Sequence, residues 1–180
     1  IPSGDPYSTD STSTTNPAAQ DVSRETSATD RLTLCFSTQV GCGMACAFCA
    51  TGSEGFSRDL TAQEMVDQAI AVQADFQSRI SNIVAMGQGE PFLNYDNLLA
   101  ALRRFNTDAG FQVGARHITV STCGIINGIK RFAEEPEQFT LAVSLHSAIQ
   151  STRDQLMPAL SNQPLSQLRP AIQEYPAQTN

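Results

Sequence analysis

The sequence of 180 residues predicts an α/β fold in which parallel strands form one sheet and helices lie outside it. Four short segments rich in apolar and β-branched residues alternate with segments of helical periodicity, an order typical of βα units. The strand segments are almost continuously apolar, as expected for strands that are covered on both faces. Four βα units are half of an eight-unit barrel. We therefore expect a partial, truncated TIM-like (β/α) barrel with an unpaired edge strand.

The four predicted strands are short and lead into segments of small or polar residues. The first precedes a loop with three cysteines, and the second ends in Gly-Gln-Gly-Glu-Pro. Branched side chains recur in all four, which favours the pleated, half-buried surface of a sheet. The predicted strands cover residues 31–38, 82–87, 117–122 and 139–146.

The helices are predicted from a start signal and from apolar residues at helical spacing. Thr61 and Glu64 form the capping-box pattern at the beginning of a helix that extends to Phe76. In this pattern each of the two side chains satisfies a free N–H group of the first turn. Further helical patterns cover residues 98–105, 125–135, 151–156 and 165–174.

Residues 1–30 differ in composition from the rest of the chain. They are rich in Ser and Thr, contain few large apolar residues, and hold five acidic residues against one arginine. Such a segment cannot bury enough apolar surface to offset the entropy of ordering. We predict a disordered, acidic tail over residues 1–30 and a folded core domain over residues 31–180.

Charge and hydropathy exclude some classes of protein. The formal net charge of −7 gives little support to nucleic acid binding, although most of that charge belongs to the tail. No apolar run is long enough to cross a membrane. The odd number of five cysteines, without a secretory signal, argues against a disulfide framework. We predict a soluble protein of a reducing compartment, the cytoplasm or, in a eukaryote, an organelle.

Three cysteines in one short loop are the most informative feature of the chain. Cys42, Cys46 and Cys49 lie between Val40 and Gly52, among glycines and alanines that let the backbone curl closely around a bulky group. Thiolates are soft ligands for iron–sulfur clusters, zinc or copper. Three of them can hold a metal centre and leave one position open for a small molecule. The spacing favours an iron–sulfur cluster, while a three-cysteine zinc site and inert buried thiols remain alternatives.

The other candidate residues all follow strands. Gly89 and Glu90 follow the second predicted strand, Ser121 lies in the third, and residues 144–146 end the fourth. Because the carboxyl ends of parallel strands meet at one edge, we expect these residues to surround the cysteine loop. Glycine permits close approach of a ligand, and a carboxylate accepts hydrogen bonds from an ammonium group.

Five segments carry a resemblance to a known family. They are residues 34–52, 55–61, 86–91, 120–124 and 142–146. In this order they resemble the signature segments of radical S-adenosylmethionine (SAM) RNA methyltransferases, which methylate C2 of adenine in 23S ribosomal RNA and transfer RNA. The resemblance covers about residues 32–165 and identifies residues 31–180 as the N-terminal part of a radical SAM core domain.

The resemblance implies a role for each matching residue. Cys42, Cys46 and Cys49 would hold three irons of a [4Fe-4S] cluster, and SAM would bind the fourth iron. Gly89 and Glu90 would bind the methionine part of SAM. The remaining implied contacts are Ser121 with the SAM carboxylate, and Ser144, Leu145 and His146 with its ribose.

The resemblance also implies a reaction. SAM would be cleaved to methionine and a 5′-deoxyadenosyl radical, which takes hydrogen from a methyl group carried by a cysteine; the resulting carbon radical adds to adenine. Cys35, seven residues before Cys42, matches the cysteine that resolves the protein–RNA adduct through a disulfide. The implied partners are 23S rRNA, tRNA and an electron donor such as flavodoxin or ferredoxin, and no membrane.

Departures from the family pattern limit this expectation. The family's methyl-carrying cysteine belongs to a C-terminal segment that matches no part of this chain. Cys123 lies within the SAM-binding stretch, and we interpret it as a structural residue. We therefore expect a fragment of the catalytic domain that does not complete methyl transfer alone. Two alternatives stay open: another radical SAM enzyme, such as a maturase or an activating enzyme, and a zinc-binding interaction module.

Overall fold

Strands and helices alternate along the part of the chain that the computed structural model describes, residues 31–179. The predicted acidic tail lies outside the described residues. The strands are β1 (Leu32–Cys35), β2 (Gln39–Gly41), β3 (Phe56–Asp59), β4 (Ile80–Ala85), β5 (Ile118–Thr122) and β6 (Thr140–Val143). The α-helices are α1 (Ala50–Glu54), α2 (Ala62–Phe76), α3 (Tyr95–Asn106), α4 (Ile126–Ala133), α5 (Gln150–Leu156) and α6 (Leu165–Thr179). Over residues 31–179, no helix is long and apolar enough to cross a membrane.

The main sheet is parallel and contains four strands in the order β1-β4-β5-β6. At least one helix follows each strand before the next, which returns the chain so that successive strands run in the same direction. Within the described residues the sheet ends at β1 and β6 and does not close into a barrel. The predicted α/β fold with four βα units of a TIM-like barrel is therefore confirmed.

Three of the four strands of the main sheet are shorter than predicted, whereas β4 has the predicted length but begins and ends two residues earlier. The predicted strand over residues 139–146 pairs only along β6, because its neighbour β5 ends first. The N–H of Ser144 donates to the carbonyl of Thr122, the last residue of β5 (2.9 Å), and residues 145 and 146 have no further strand beside them. The predicted strand over residues 31–38 likewise ends at Cys35.

A two-stranded antiparallel hairpin of β2 and β3 was not predicted. It pairs Val40 with Arg58 and contains the cysteine loop between its strands. Arg58 forms an ion pair of 2.7 Å with Glu64 in the first turn of α2. Glu64 also completes the predicted capping box, since Thr61 N–H donates to its carboxylate (2.9 Å) and its own N–H donates to the Thr61 hydroxyl (3.2 Å). The base of the hairpin is thus fixed to a helix.

The core lies between the sheet and its helices. Alternate strand residues such as Leu34, Ile83 and Val120 are buried on that side. The ring of Phe132 in α4 stacks on Tyr175 of α6, with centroids 5.8 Å apart. The intervening strand residues, among them Cys35, point to the opposite, concave face, because side chains alternate along a strand. This arrangement anchors the strands and leaves their carboxyl ends free to form a site.

Candidate active site

The loops that follow the parallel strands surround a cavity of about 300 Å³. Eight of the ten predicted site residues line it, so the expected meeting of the candidate segments at one edge is found. The eight are Cys42, Cys46, Cys49, Gly89, Glu90, Ser121, Ser144 and His146. Further lining residues include Met44, Phe48, Met86, Thr122, Cys123 and Met157.

The cysteine loop begins at a glycine that no other residue could replace without strain. Gly41 has φ = +76°, and a Cβ at this position would lie 2.0 Å from the carbonyl oxygen of Gly55. The same carbonyl accepts a hydrogen bond from the N–H of Cys42 (2.9 Å). Close approach of the two hairpin strands therefore sets the start of the loop and the direction of the first cysteine.

The three loop cysteines are partly buried thiols, and for two of them the surroundings disfavour a free thiolate. Burial raises the pKa of Cys42 and of Cys46, and the neighbouring cysteines and Glu90 raise both further by repulsion between negative charges. A positively charged metal centre would relieve that repulsion and favour the thiolate form. Soft donors, a curled glycine-containing loop and an adjoining cavity together fit an iron–sulfur cluster.

Among residues 31–179, no group of three or more His, Cys, Asp or Glu side chains has the geometry to hold one metal ion. A zinc site needs its donors at bonding distance from the same ion. In a [4Fe-4S] cluster each cysteine binds a different iron, and this requirement does not apply.

Glu90 is the most extensively bonded carboxylate at the site. It is 3% exposed. One oxygen, Oε1, accepts from the N–H of Phe92 (3.1 Å) and from the hydroxyl of Thr122 (2.7 Å). The other oxygen, Oε2, accepts from the N–H of Cys123 (2.8 Å). A carboxylate has about four acceptor positions, and these donors use three of those of Glu90, which lines the cavity.

The loop before Glu90 packs tightly on the segment that follows β1. Gly89 has φ = +103°, and a Cβ there would lie 2.7 Å from the side chain of Gln39. Gln39 in turn accepts a hydrogen bond from the N–H of Glu90 (2.8 Å) and donates one to Asp59 of β3 (2.7 Å). The cysteine hairpin and the loop after β4 are therefore held as one unit.

The carboxyl ends of β5 and β6 contribute polar groups to the wall of the cavity. The hydroxyls of Ser121 and Ser144 lie 3.3 Å apart. His146 has φ = +57°, and its ring lies over Phe48 of the cysteine loop, with centroids 4.1 Å apart. His146 therefore bridges the end of β6 and the cysteine loop across the cavity.

Two predicted residues lie away from the cavity. Leu145 lines a separate apolar groove of about 410 Å³ beside α6. Cys35 is an exposed thiol at the end of β1, in register with Val84 of β4. Its side chain faces the concave side of the sheet, as does that of Ser121. All five cysteines of the chain are free thiols in this structure.

The contribution of α5 and its neighbours to the site was not predicted. Met157, directly after α5, is fully buried and lines the cavity. Met44, Cys123, Met157 and Leu160 form a small apolar cluster against which Cys42 and Cys46 pack. The N–H of Ala47 donates to the carbonyl of Leu156 (2.9 Å). The weak helical pattern over residues 151–156 could have placed a helix there, but not its contact with the cysteine loop.

Comparisons with known proteins agree with this geometry. The model of the radical SAM superfamily matches residues 36–163. The crystal structure of a radical SAM methyltransferase from Sphaerobacter thermophilus superposes with a TM-score of 0.79 at 44% sequence identity, over 84% of this chain and 45% of that one.

Curated relatives carry a more specific name. A protein of Nostoc punctiforme named probable dual-specificity RNA methyltransferase RlmN is 52% identical over 145 residues, which are 81% of this chain and 39% of that protein. A protein of Akkermansia muciniphila with the same name is 49% identical over 146 residues, 81% of this chain and 41% of that protein. The chain thus spans about two fifths of the length of these relatives.

Proposed function

The chain belongs to the radical SAM superfamily, and from this premise we propose that it is the cofactor-binding part of an RNA methyltransferase that acts on C2 of adenine in 23S rRNA and tRNA. One observation carries the proposal: the cysteine loop and the Glu90 loop line the same cavity of about 300 Å³. The choice of RNA as substrate is supported by relatives of 49% to 52% identity that are named dual-specificity RNA methyltransferases.

The cofactors would be held by residues from four loops. The thiolates of Cys42, Cys46 and Cys49 would each bind one iron of a [4Fe-4S] cluster. Glu90 would accept a hydrogen bond from the SAM amino group, and Gly89 lets that ligand approach the backbone. The other SAM contacts in this proposal are Ser121 with the carboxylate, and Ser144 and His146 with the ribose. Leu145 lines the separate groove beside α6 and makes no such contact in this proposal.

The chemistry of the loaded site would come from its cofactors. Together the cluster and SAM supply a one-electron reduction and a carbon radical, driven by a donor such as flavodoxin or ferredoxin. The protein orients the bound groups. The buried side chains of Met44 and Met157 line the cavity and limit the access of water to it. Cys35 would act as a separate thiol in resolving the RNA adduct, from its exposed position on the concave face.

Anaerobic reconstitution of the chain with iron and sulfide tests the proposal. We expect the broad visible absorption of an iron–sulfur cluster, and cleavage of added SAM to methionine and 5′-deoxyadenosine under dithionite. A Cys46→Ala variant should lose both, whereas Cys35→Ala should keep both because its thiol lies outside the cavity. Stoichiometric zinc without SAM cleavage would support a zinc-binding module instead.

Methyl transfer needs a separate test, because the curated relatives are longer than this chain. We expect methyltransferase activity from a chimaera in which this chain replaces the matching 145 residues of the Nostoc punctiforme protein. Mass spectrometry of digested rRNA and tRNA would report 2-methyladenosine. The same chimaera with Cys35→Ala should bind its cluster but form no methylated product. Cluster-loaded chimaera without 2-methyladenosine would contradict the proposed reaction.

A further inference from the structure

Arg153 of α5 is a fully buried cation with an incomplete set of partners. Its side chain is 0% exposed. Nη2 donates to the backbone carbonyl of Cys123 (2.5 Å), and Nη1 lies 3.5 Å from the carbonyl of Gln163. The third nitrogen, Nε, is buried without a hydrogen-bond partner. None of the ion pairs in the described part of the chain includes Arg153.

A buried guanidinium without a carboxylate partner needs an explanation. Charged side chains are buried almost only where an opposite charge or a metal centre compensates them. Burial lowers the pKa of Arg153, yet an arginine side chain keeps its proton in proteins. The positive charge is therefore present in the folded chain, and the carbonyl dipoles that it contacts do not neutralise it.

The residues around Arg153 indicate that the cysteine loop is the source of the compensating negative charge. The helix of Arg153 holds this loop through the hydrogen bond from Ala47 to Leu156. The apolar cluster that contains Cys123 and Met157 also contacts Cys42 and Cys46. Cys123, Asp154 and Cys46 lie near enough to act electrostatically on Arg153. Arg153 is therefore a buried neighbour of the cysteine loop.

We propose that Arg153 tunes the iron–sulfur cluster through its charge. The buried positive charge offsets the negative charge of the thiolate-bound cluster and thereby raises the reduction potential of the cluster. This inference rests on the proposed function. Three thiolates give the bound cluster a net negative charge, which grows when an external reductant adds one electron. Arg153 stabilises that reduced form through space; it keeps its proton, and no bond to it is made or broken.

The test measures the reduction potential of reconstituted protein by EPR-monitored titration with dithionite. Arg153→Gln keeps an amide donor for the carbonyl of Cys123 but removes the charge, and Arg153→Lys keeps the charge. The matched control is Arg104→Gln, which removes a positive charge from an exposed position on α3. At a fixed solution potential we expect the ratio of reduced to oxidised cluster to fall about tenfold in Arg153→Gln, the order expected for loss of a charge near a redox centre inside a protein. Arg153→Lys should stay close to the parent, and Arg104→Gln should not differ from it.

The possible outcomes separate this inference from the proposed function. If no protein in the series assembles a cluster, the proposed function fails and this inference fails with it. If all assemble a cluster and Arg153→Gln matches Arg104→Gln in potential, only the role of Arg153 is overturned. A role confined to packing would lower the unfolding free energy of Arg153→Gln without moving the potential.

A second measurement applies if Arg153→Gln does not fold. A buried lysine loses its proton at a lower pH than an arginine does. The potential of Arg153→Lys should therefore fall at alkaline pH relative to the parent at the same pH. The titratable neighbours Cys123, Asp154 and Cys46 are common to both proteins, so this difference reports on the substitution at position 153. Parallel profiles of the reduction potential against pH, or failure of both variants to fold, would show that Arg153 serves only to stabilise the fold. Either result would overturn the proposal.

Discussion

The carboxylate of Glu90 accepts a hydrogen bond of 2.8 Å from the backbone N–H of Cys123. This bond joins the loop after β4 to the loop after β5, two segments that are 33 residues apart. Because the thiol of Cys123 and the carboxylate of Glu90 both line the cavity, the bond fixes the shape of the candidate SAM site. The same carboxylate is proposed to bind the ligand, so it serves the fold and the site together.

Replacement of Glu90 by Gln should destabilise the chain even without cofactors. Three donors, from Phe92, Thr122 and Cys123, use both oxygens of the carboxylate. A Gln side chain has one oxygen, and its NH₂ group would face one of these donors. We expect a loss of about 1–3 kcal/mol in the free energy of unfolding, measured by urea denaturation of the cluster-free chain.

The control for this measurement is Glu134→Gln, an exposed carboxylate at the end of α4. Its effect should stay within about 0.5 kcal/mol, as is usual for surface substitutions. Affinity for SAM, measured by calorimetry on reconstituted protein, should fall only in Glu90→Gln. Equal stability of the two variants would show that the buried carboxylate is not needed to join the loops.

Gly41→Ala and Gly43→Ala form a matched pair in the cysteine loop. Gly41 has φ = +76°, and its added methyl group would lie 2.0 Å from the carbonyl oxygen of Gly55. The methyl group at Gly43 would meet only the Cβ of Phe56, at an ordinary contact distance of 3.7 Å. We expect Gly41→Ala to lose most of the iron bound per chain after reconstitution, and Gly43→Ala to retain it. Equal iron contents of the two variants would show that the loop conformation set by Gly41 is not needed for cluster binding.

The sequence predicted the meeting of the site residues because the rule behind that prediction is topological. Parallel strands joined by helices place all their carboxyl ends at one edge. The cysteine loop, Glu90 and Ser121 therefore come together whatever the lengths of the strands. Errors of two or three residues at the strand ends, as in the segment over residues 139–146, moved none of the eight residues that line the cavity.

The hairpin of β2 and β3 could not be predicted by the same means. All four residues of β3 are exposed, so the strand lacks the alternation of apolar and polar residues that marks a half-buried strand. Arg153 was missed for the opposite reason. A charged residue in a short helix is expected to face solvent, and only tertiary contacts with Cys123 and Gln163 show that this arginine is buried.

Cys35 and Cys123 should differ strongly in their reactivity with iodoacetamide. Cys35 is exposed, whereas Cys123 is 9% exposed and the pKa of its thiol is raised by burial and by the nearby Glu90 carboxylate. Alkylation requires both access and the thiolate form. In the cluster-free chain near neutral pH we expect Cys123 to react at least about tenfold more slowly than Cys35. Peptide mass spectrometry at timed intervals measures both rates, and Cys35→Ser should remove the fast site alone. Similar rates would show that Cys123 is accessible from the cavity.

The contact between Glu64 and Arg58 should make the stability of the chain depend on pH. The hydrogen bond from Arg58, followed by that from the Thr61 N–H, lowers the pKa of Glu64 from its ordinary value of 4.5 to about 2. Because the pKa is lower in the folded chain than in the unfolded one, the contribution of Glu64 is complete above pH 4.5 and is lost as the pH falls through about 2. The difference in unfolding free energy between the parent and Glu64→Gln should therefore shrink over this interval. The control is Glu54→Gln, which removes an exposed carboxylate without an ion pair in the described residues. A constant difference for Glu64→Gln over this interval would contradict a stabilising bridge between the hairpin and α2.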